Sequence, residues 1–308
     1  MAKAKSNILV VSLGGTITSE IKGGIVRQAG LAWGQDFFSS IDDRFNYSIA
    51  APAGYSSENA TVSDYRMALS GIVSAIESTR PDGILILHGT DSIAYFAQLA
   101  VRVLSHINRP VVITGSKLPP SEKNSDAAGN IKLALGFLGA AIDGNIGSKT
   151  FGIVFRDSFM GESTFVHASG CQSPDIMGDI RSFMDSTAKK KPDFRSSEYK
   201  KRAEAFISGA GVKGGIMSIP AAPGIPYGSY SLEGVEAILI ESYHSGTADS
   251  KGLEDLVRRA ADRNIPCYMG PCPARGNIYE SRKRLEDAGV RILSNMPFEG
   301  CWAEVVMG

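Results

Sequence analysis

The chain has 308 residues, 43% of them hydrophobic and 21% charged, and its 32 basic residues balance 32 acidic ones. That balance leaves no basic excess to grip nucleic acid or an anionic membrane, so neither is expected as a partner. No apolar run approaches the roughly 20 residues of a membrane span. The apolar stretch near the start, ILVV, is short for a signal-peptide core, so a cytoplasmic protein is expected.

The first strand signal is NILVVS (7–12), which leads into Gly14, Gly15 and Thr16. A helical period follows, with Tyr65, Leu69, Ile72, Val73 and Ile76 on one stripe and Ser63 as a cap before Asp64. Next comes GILILH (83–88), running into Gly89, Thr90 and Asp91. A second helical stripe holds Ile93, Phe96, Ala97, Ala100, Val101 and Leu104. PVVITG (110–115) and FGIVF (151–155) are two more strand signals. Periodicity fails over 186–213, where a lysine run, a proline and three glycines read as a surface connector, part of it a solvated helix. GGIMSI (214–219) and AILIES (237–242) resume the strand pattern. Nearly continuous apolar strands alternating with helices predict an α/β protein whose sheet is largely parallel and buried on both faces. The expected division is a larger first domain at 1–185, a linker at 186–213 and a smaller second domain at 214–308.

Cys171, Cys267, Cys272 and Cys301 lack zinc-ribbon or CxxC spacing, and no histidine stands near the CYMGPC stretch. Reduced structural thiols and no metal site are expected.

Two strand ends share one pattern: a buried run, a glycine, then a threonine. Thr16 follows Gly15, and Thr90 follows Gly89. Such a threonine, or Asp91 beside it, can serve as a helix cap. It can also be a nucleophile at the carboxyl end of a strand, where open α/β sheets bind ligands. A hydroxyl needs a base, an orienting group and donors for the developing oxyanion. Both readings stand on the residues alone.

The sequence resembles the bacterial-type L-asparaginases and their glutaminase relatives, closest to the cytoplasmic type I subgroup. The stretches that carry the resemblance are SLGGTI (12–17), YSSENATVSDY (55–65), LHGTDSIAYFA (87–97), RPVVITGSKLPPSEKNSDAAGNI (109–131), SYHSGTA (242–248) and GNIYESRKRLEDAGVRILSNM (276–296). The resemblance implies a flavodoxin-like second domain, no cofactor, and a homodimer or homotetramer with sites between subunits. It implies that Thr16 is the primary nucleophile and that Thr90 and Asp91 are a second threonine and its aspartate. Ser57 and Glu58 match the residues that hold the substrate's α-carboxylate and α-ammonium groups, with Asp91 sharing the ammonium. A zwitterionic head group needs such a carboxylate and such donors.

The sequence departs from the family pattern at two helper positions. His167 stands where a lysine completes a Thr–Asp–Lys set, and a histidine can act as a general base near neutral pH. Gly24 stands where a tyrosine assists the first threonine, within IKGGIVRQAG. A milder difference puts His244 and Thr247 where relatives show glycine and asparagine. The resemblance therefore implies an asparaginase-like amidohydrolase acting on asparagine or a related small amide and releasing ammonia. The alternatives are acyl transfer on another amide, or a binding homologue without turnover.

Overall fold

A computed structural model describes residues 4–28, 34–147, 150–155, 158–161, 192–274 and 276–308. Two compact units emerge. The described residues up to Gly161, with Phe194–Ser208, form the first, and Gly209–Gly308 lie in the second.

The first unit opens with β1 (Ser6–Ser12), whose last five residues are buried. A single 3-10 turn at Thr16–Thr18 leads into the hairpin β2 (Ser19–Lys22) and β3 (Ile25–Gln28). The hairpin turns through Gly23 and Gly24, both at positive φ, 62° and 75°. That is the two-residue connection favoured between twisted antiparallel strands. Then come α1 (Gln35–Ile41), β4 (Phe45–Ala50), α2 (Val62–Thr79), β5 (Gly83–Leu87), α3 (Ile93–Leu104), β6 (Val111–Thr114), α4 (Ala127–Ile142), β7 (Phe151–Phe155), β8 (Ser158–Gly161) and α5 (Ser197–Ser208).

The main sheet has the order β4-β1-β5-β6-β7-β8. All its pairs are parallel except β7 with β8. One face carries Ile8, Val10, Leu85, Leu87, Val112 and Val154 against Phe38 and the α4 residues Ile131, Ala134, Leu135 and Leu138. Strand residues of the other parity, such as Leu9, Val11, Ile84 and Ile86, are equally buried. Burial on both faces explains the unbroken apolar runs.

Helix α2 starts earlier than the Ser63 cap predicts. Thr61 is the cap: its hydroxyl accepts the Asp64 N–H at 3.2 Å, and Asp64 accepts the Thr61 N–H at 2.8 Å. This reciprocal pair satisfies two amides that the first turn leaves open. Helix α3 is buried nearly all round and not on one stripe alone. The stretch read as a connector explains why. Its residues 197–208 form α5, which lodges against α2 and α3 and buries Ala203 and Phe206. Arg102 of α3 is fully buried, with its guanidinium over the Phe194 ring at 4.6 Å and hydrogen bonds to Gln98 O at 2.7 Å and Gln98 Oε1 at 2.8 Å.

The second unit contains β9 (Ile216–Ile219), β10 (Ala237–Glu241), α6 (Ser250–Ala261), β11 (Cys267–Cys272), α7 (Glu280–Asp287), β12 (Arg291–Ser294) and α8 (Phe298–Met307). Its sheet, ordered β12-β11-β10-β9, is parallel throughout. Ile238, Ile240 and Met269 pack on Leu253, Leu256 and Val257 of α6, while Ala237 and Leu239 pack on Cys301 and Val305 of α8. Helices therefore cover both faces of a small parallel sheet, the architecture expected for the second domain. Cys267, Cys272 and Cys301 are buried free thiols, and burial pushes Cys267 up to about 11. Cys171 lies outside the described residues. Among the described residues, no helix is long and apolar enough to cross a membrane.

Candidate active site

The site is built on sheet order. β1 and β5 are parallel neighbours, with Ser12 opposite Leu87. Parallel strands lie about 4.8 Å apart, so the chains that leave their carboxyl ends emerge side by side. The ladder continues past the strands: the Leu13 N–H donates to Leu87 O at 2.9 Å, and the His88 N–H donates to Thr114 O at 2.9 Å.

The glycines decide how closely the two turns approach. A Cβ on Gly15 would stand 2.2 Å from the Gly89 Cα and 2.4 Å from its nitrogen. Gly15 also has φ 84° and ψ 175°, a region essentially confined to glycine. A Cβ on Gly89 would stand 2.4 Å from Ser57 Oγ. Three separate segments therefore meet at Gly15, Gly89 and Ser57. Each carries sequence-predicted site residues at or immediately beyond the contact.

Thr16 and Thr90 each start a 3-10 turn and are half-buried, neither sealed in the core nor fully exposed. The capping alternative is not what the structure contains. The caps of these turns are Gly15 and Gly89, and α3 is preceded by Ser92, whose side chain makes no capping bond. Asp91 instead accepts a hydrogen bond from Ser57 Oγ at 3.2 Å. Ser57 is buried, whereas Asp91 and Glu58 are exposed carboxylates beside it in the chain or in space. Three segments thus meet at the two glycines, and the Ser57–Asp91 bond joins two of them.

Below the turns sits a group the sequence reasoning passed over. His88 is fully buried; its Nδ1 lies 2.7 Å from Gly89 O and its Nε2 3.1 Å from Tyr55 Oη. Burial holds its imidazole down at about 4. The ring stacks on Phe96 at 4.7 Å and meets Tyr55 and Tyr65 at 5.6 and 6.1 Å. A second chain of hydroxyls runs from Tyr65 Oη to Ser92 Oγ at 2.7 Å, and from Ser92 Oγ to Ser57 O at 2.6 Å. The available signal was a histidine closing the otherwise apolar run GILILH.

The loop after β6 supports the Thr90 side. A Cβ on Gly115 would stand 3.1 Å from Thr90 Cγ2. Asp126 accepts the Lys117 and Leu118 N–H groups at 2.9 and 3.2 Å, and Asn130 donates to Gly115 O at 2.9 Å.

His167 lies outside the described residues. His244 is exposed in a second-unit loop closed by the Tyr243 N–H to Thr247 O bond at 2.8 Å. Among the described residues, no group of three or more His, Cys, Asp or Glu could hold a metal ion. A cavity of about 370 Å³, lined in part by Lys5, Asp43, Arg44 and Asp143, opens at the amino ends of β1 and β4. It is at the wrong edge for the usual ligand crevice of a parallel sheet.

Comparison with known proteins names the lineage. The family model described as Asparaginase, N-terminal matches residues 7–167, slightly more than half of the chain. This chain belongs to the asparaginase family. The family match spans Thr16, Ser57, Glu58, Thr90 and Asp91. A glutamyl-tRNA(Gln) amidotransferase subunit of Methanopyrus kandleri is 25% identical across 92% of this chain and 66% of its own length. An L-asparaginase of Thermococcus kodakarensis is 48% identical over a 56-residue stretch, 18% of this chain and 17% of that one. The chain thus spans under two thirds of the length of either of these curated relatives. The solved structure of the thermostable L-asparaginase from Thermococcus kodakarensis has the same fold, with a TM-score of 0.68 at 22% identity, covering 98% of this chain and 92% of that one.

Proposed function

We propose that this chain hydrolyses the side-chain amide of asparagine or a closely related small amide, releasing ammonia. The observation that carries the reading is the contact of Gly15 with Gly89, with Ser57 against the same spot. In this reading that contact lets Thr16, Thr90 and Asp91 serve one shared approach.

In this reading Asp91 and Glu58 face the substrate's ammonium group, while Ser57 and the backbone N–H groups of its turn face the α-carboxylate. Thr16 Oγ attacks the amide carbon. The Oγ–C bond forms, the hydroxyl proton passes through a base to the leaving nitrogen, and the C–N bond breaks to release ammonia. Water then adds to the acyl-enzyme, restores the hydroxyl and frees a carboxylate. Backbone donors at the glycine turns supply charge stabilisation for both tetrahedral intermediates. Thr90, with Asp91, positions the water or carries its proton, and His167 serves as the base. The chemistry uses protein groups alone. A homodimer or homotetramer belongs to the same proposal, and light scattering measures it.

One observation favours a second reading. The relatives matched over 92% and 93% of this chain are named as subunits of glutamyl-tRNA(Gln) amidotransferases. Under that reading the same attack opens an amide, but nitrogen or acyl group passes to an acceptor other than water.

The deciding experiment measures ammonia release from asparagine and glutamine of both hands for the native chain, Thr16→Ala and Thr90→Ala. Hydroxylamine is added as an alternative acyl acceptor. Turnover lost in Thr16→Ala supports the nucleophile, and hydroxamate exceeding free acid favours transfer. If no amide is consumed while aspartate raises the melting temperature, the chain is a binding homologue.

A further inference from the structure

We propose that Tyr55 and His88 form a positioning strut that fixes the head-group residues relative to the two hydroxyls. The proposal rests on the amidohydrolase reading and adds a role for groups that its chemistry does not use.

The partners of His88 dictate its proton. Gly89 O can only accept, so Nδ1, 2.7 Å away, carries the hydrogen. Nε2 is then bare and accepts the Tyr55 hydroxyl at 3.1 Å. With both nitrogens occupied and the ring fully buried, His88 cannot shuttle a proton to a substrate. What it holds is the peptide oxygen of Gly89, immediately before Thr90, and hence the plane of that peptide.

Tyr55 ties the other two segments to this ring. Its N–H donates to Leu13 O at 3.4 Å, and its own carbonyl oxygen would stand 2.6 Å from a Cβ on Gly14. Two residues later the chain reaches Ser57, which bonds to Asp91. Tyr55 is therefore attached to the Thr16 turn by its backbone, to the Thr90 turn by its hydroxyl through His88, and to the head-group residues by the chain itself. A phenylalanine would fill the aromatic cluster as well, with Tyr65 at 5.8 Å and His88 at 5.6 Å. The hydroxyl adds direction: it sets one length between Tyr55 and Gly89. Misplacing reacting atoms by about 1 Å can lower a rate about a hundredfold, so such a brace acts on turnover.

The test uses Tyr55→Phe, His88→Asn and the double variant in the full chain, with kcat and KM for ammonia release, L-aspartate affinity by calorimetry, and circular dichroism to count folded protein. Asparagine keeps an N–H near the Nδ1 position but does not reach Tyr55. Each single variant is expected to lose at least about fivefold in kcat, and the double variant no more than the worse single, because one bond is removed in all three. A residue that only packs lowers the unfolding midpoint and leaves kcat per folded molecule unchanged. A smaller loss in Tyr55→Phe, or losses that multiply in the double variant, overturns the strut. If His88→Asn does not fold, Tyr55→Phe decides alone. If the native chain consumes no amide, the hydrolysis reading falls and the strut is judged on L-aspartate affinity by the same threshold. A native chain that binds no aspartate either overturns both.

Discussion

Replacing Gly15 by alanine tests the contact on which the site depends. Two effects act at once. The backbone there, φ 84° and ψ 175°, is strained for any residue with a Cβ, by about 1–3 kcal/mol. The new methyl would also lie 2.2 Å from the Gly89 Cα, and backbone has no rotamer by which to yield. Forcing an extra carbon into a packed position costs about 1–3 kcal/mol more. The sum is about 2–6 kcal/mol, and the turns must move apart. Gly24→Ala is the control, because it carries a positive φ of 75° with nothing within 4 Å of its Cβ. That variant carries the strain of a left-handed residue, about 1–2 kcal/mol, without the clash. Urea unfolding at equal slope gives both values, and ammonia release measures the consequence at the site. Gly15→Ala should be the less stable of the two, and its residual activity at full folding should fall by about a hundredfold. Equal midpoints for the two variants, or activity in Gly15→Ala within about twofold of native, would refute the claim that the turns touch.

Ser57→Ala removes the hydroxyl that Asp91 accepts. A hydrogen bond to a charged group is worth about 1.5–3 kcal/mol, discounted here because Asp91 is exposed. A rise of about tenfold in KM, read by initial rates, is expected. Acid titration should expose His88, whose folded value of about 4 lies below the ordinary histidine value of 6.5. The unfolded state then binds more protons between those values, so stability is full above pH 6.5 and declines as pH falls towards 4. The loss approaches roughly 3 kcal/mol. In His88→Asn, urea midpoints should lose that part of their pH slope; an unchanged slope would assign it to other groups. Gly24→Tyr should bring no gain in asparagine turnover, since its Cβ direction leads into open space; recovered turnover measured against the native chain would show that the hairpin tip reaches the site.

The strands were legible because burial on both faces removes every polar interruption, and NILVVS, GILILH and FGIVF each became a strand of the main sheet. Less apolar strands were not picked out, among them Phe45–Ala50, where Asn46 is exposed at the sheet edge. Helix α5 was expected only as a solvated helix within a connector, for a different reason. Its surface is mostly charged, and only Ala203 and Phe206 are buried, too few to leave a stripe. At the site, the glycine–threonine pattern was visible because close approach demands glycine at both Gly15 and Gly89, and the backbone at Gly15 demands it again. The Tyr55–His88 bond was not, because the residues are 33 positions apart and neither belongs to a spacing rule. A sequence records which positions tolerate no side chain more plainly than which polar atoms pair.

The hairpin changes how the departure at Gly24 is understood. Gly23 and Gly24 form its tip, at positive φ, and a Cβ on either would meet nothing within 4 Å. Gly24, which the resemblance sets against a family tyrosine, is therefore at the far end of a two-stranded ribbon, away from its base at the Ser19–Gln28 pair. The base is what adjoins the threonine turn. Ser19 Oγ donates to Gly15 O at 2.9 Å, and Gln28 Nε2 would lie 2.8 Å from a Cβ on Gly14. A loop that folds back on itself with a two-glycine turn shortens its reach and fixes its register. Beside the first glycine turn the root of the hairpin accordingly contributes a serine hydroxyl and a carboxamide, next to the Tyr55 carbonyl oxygen, while the described tip stands in open space.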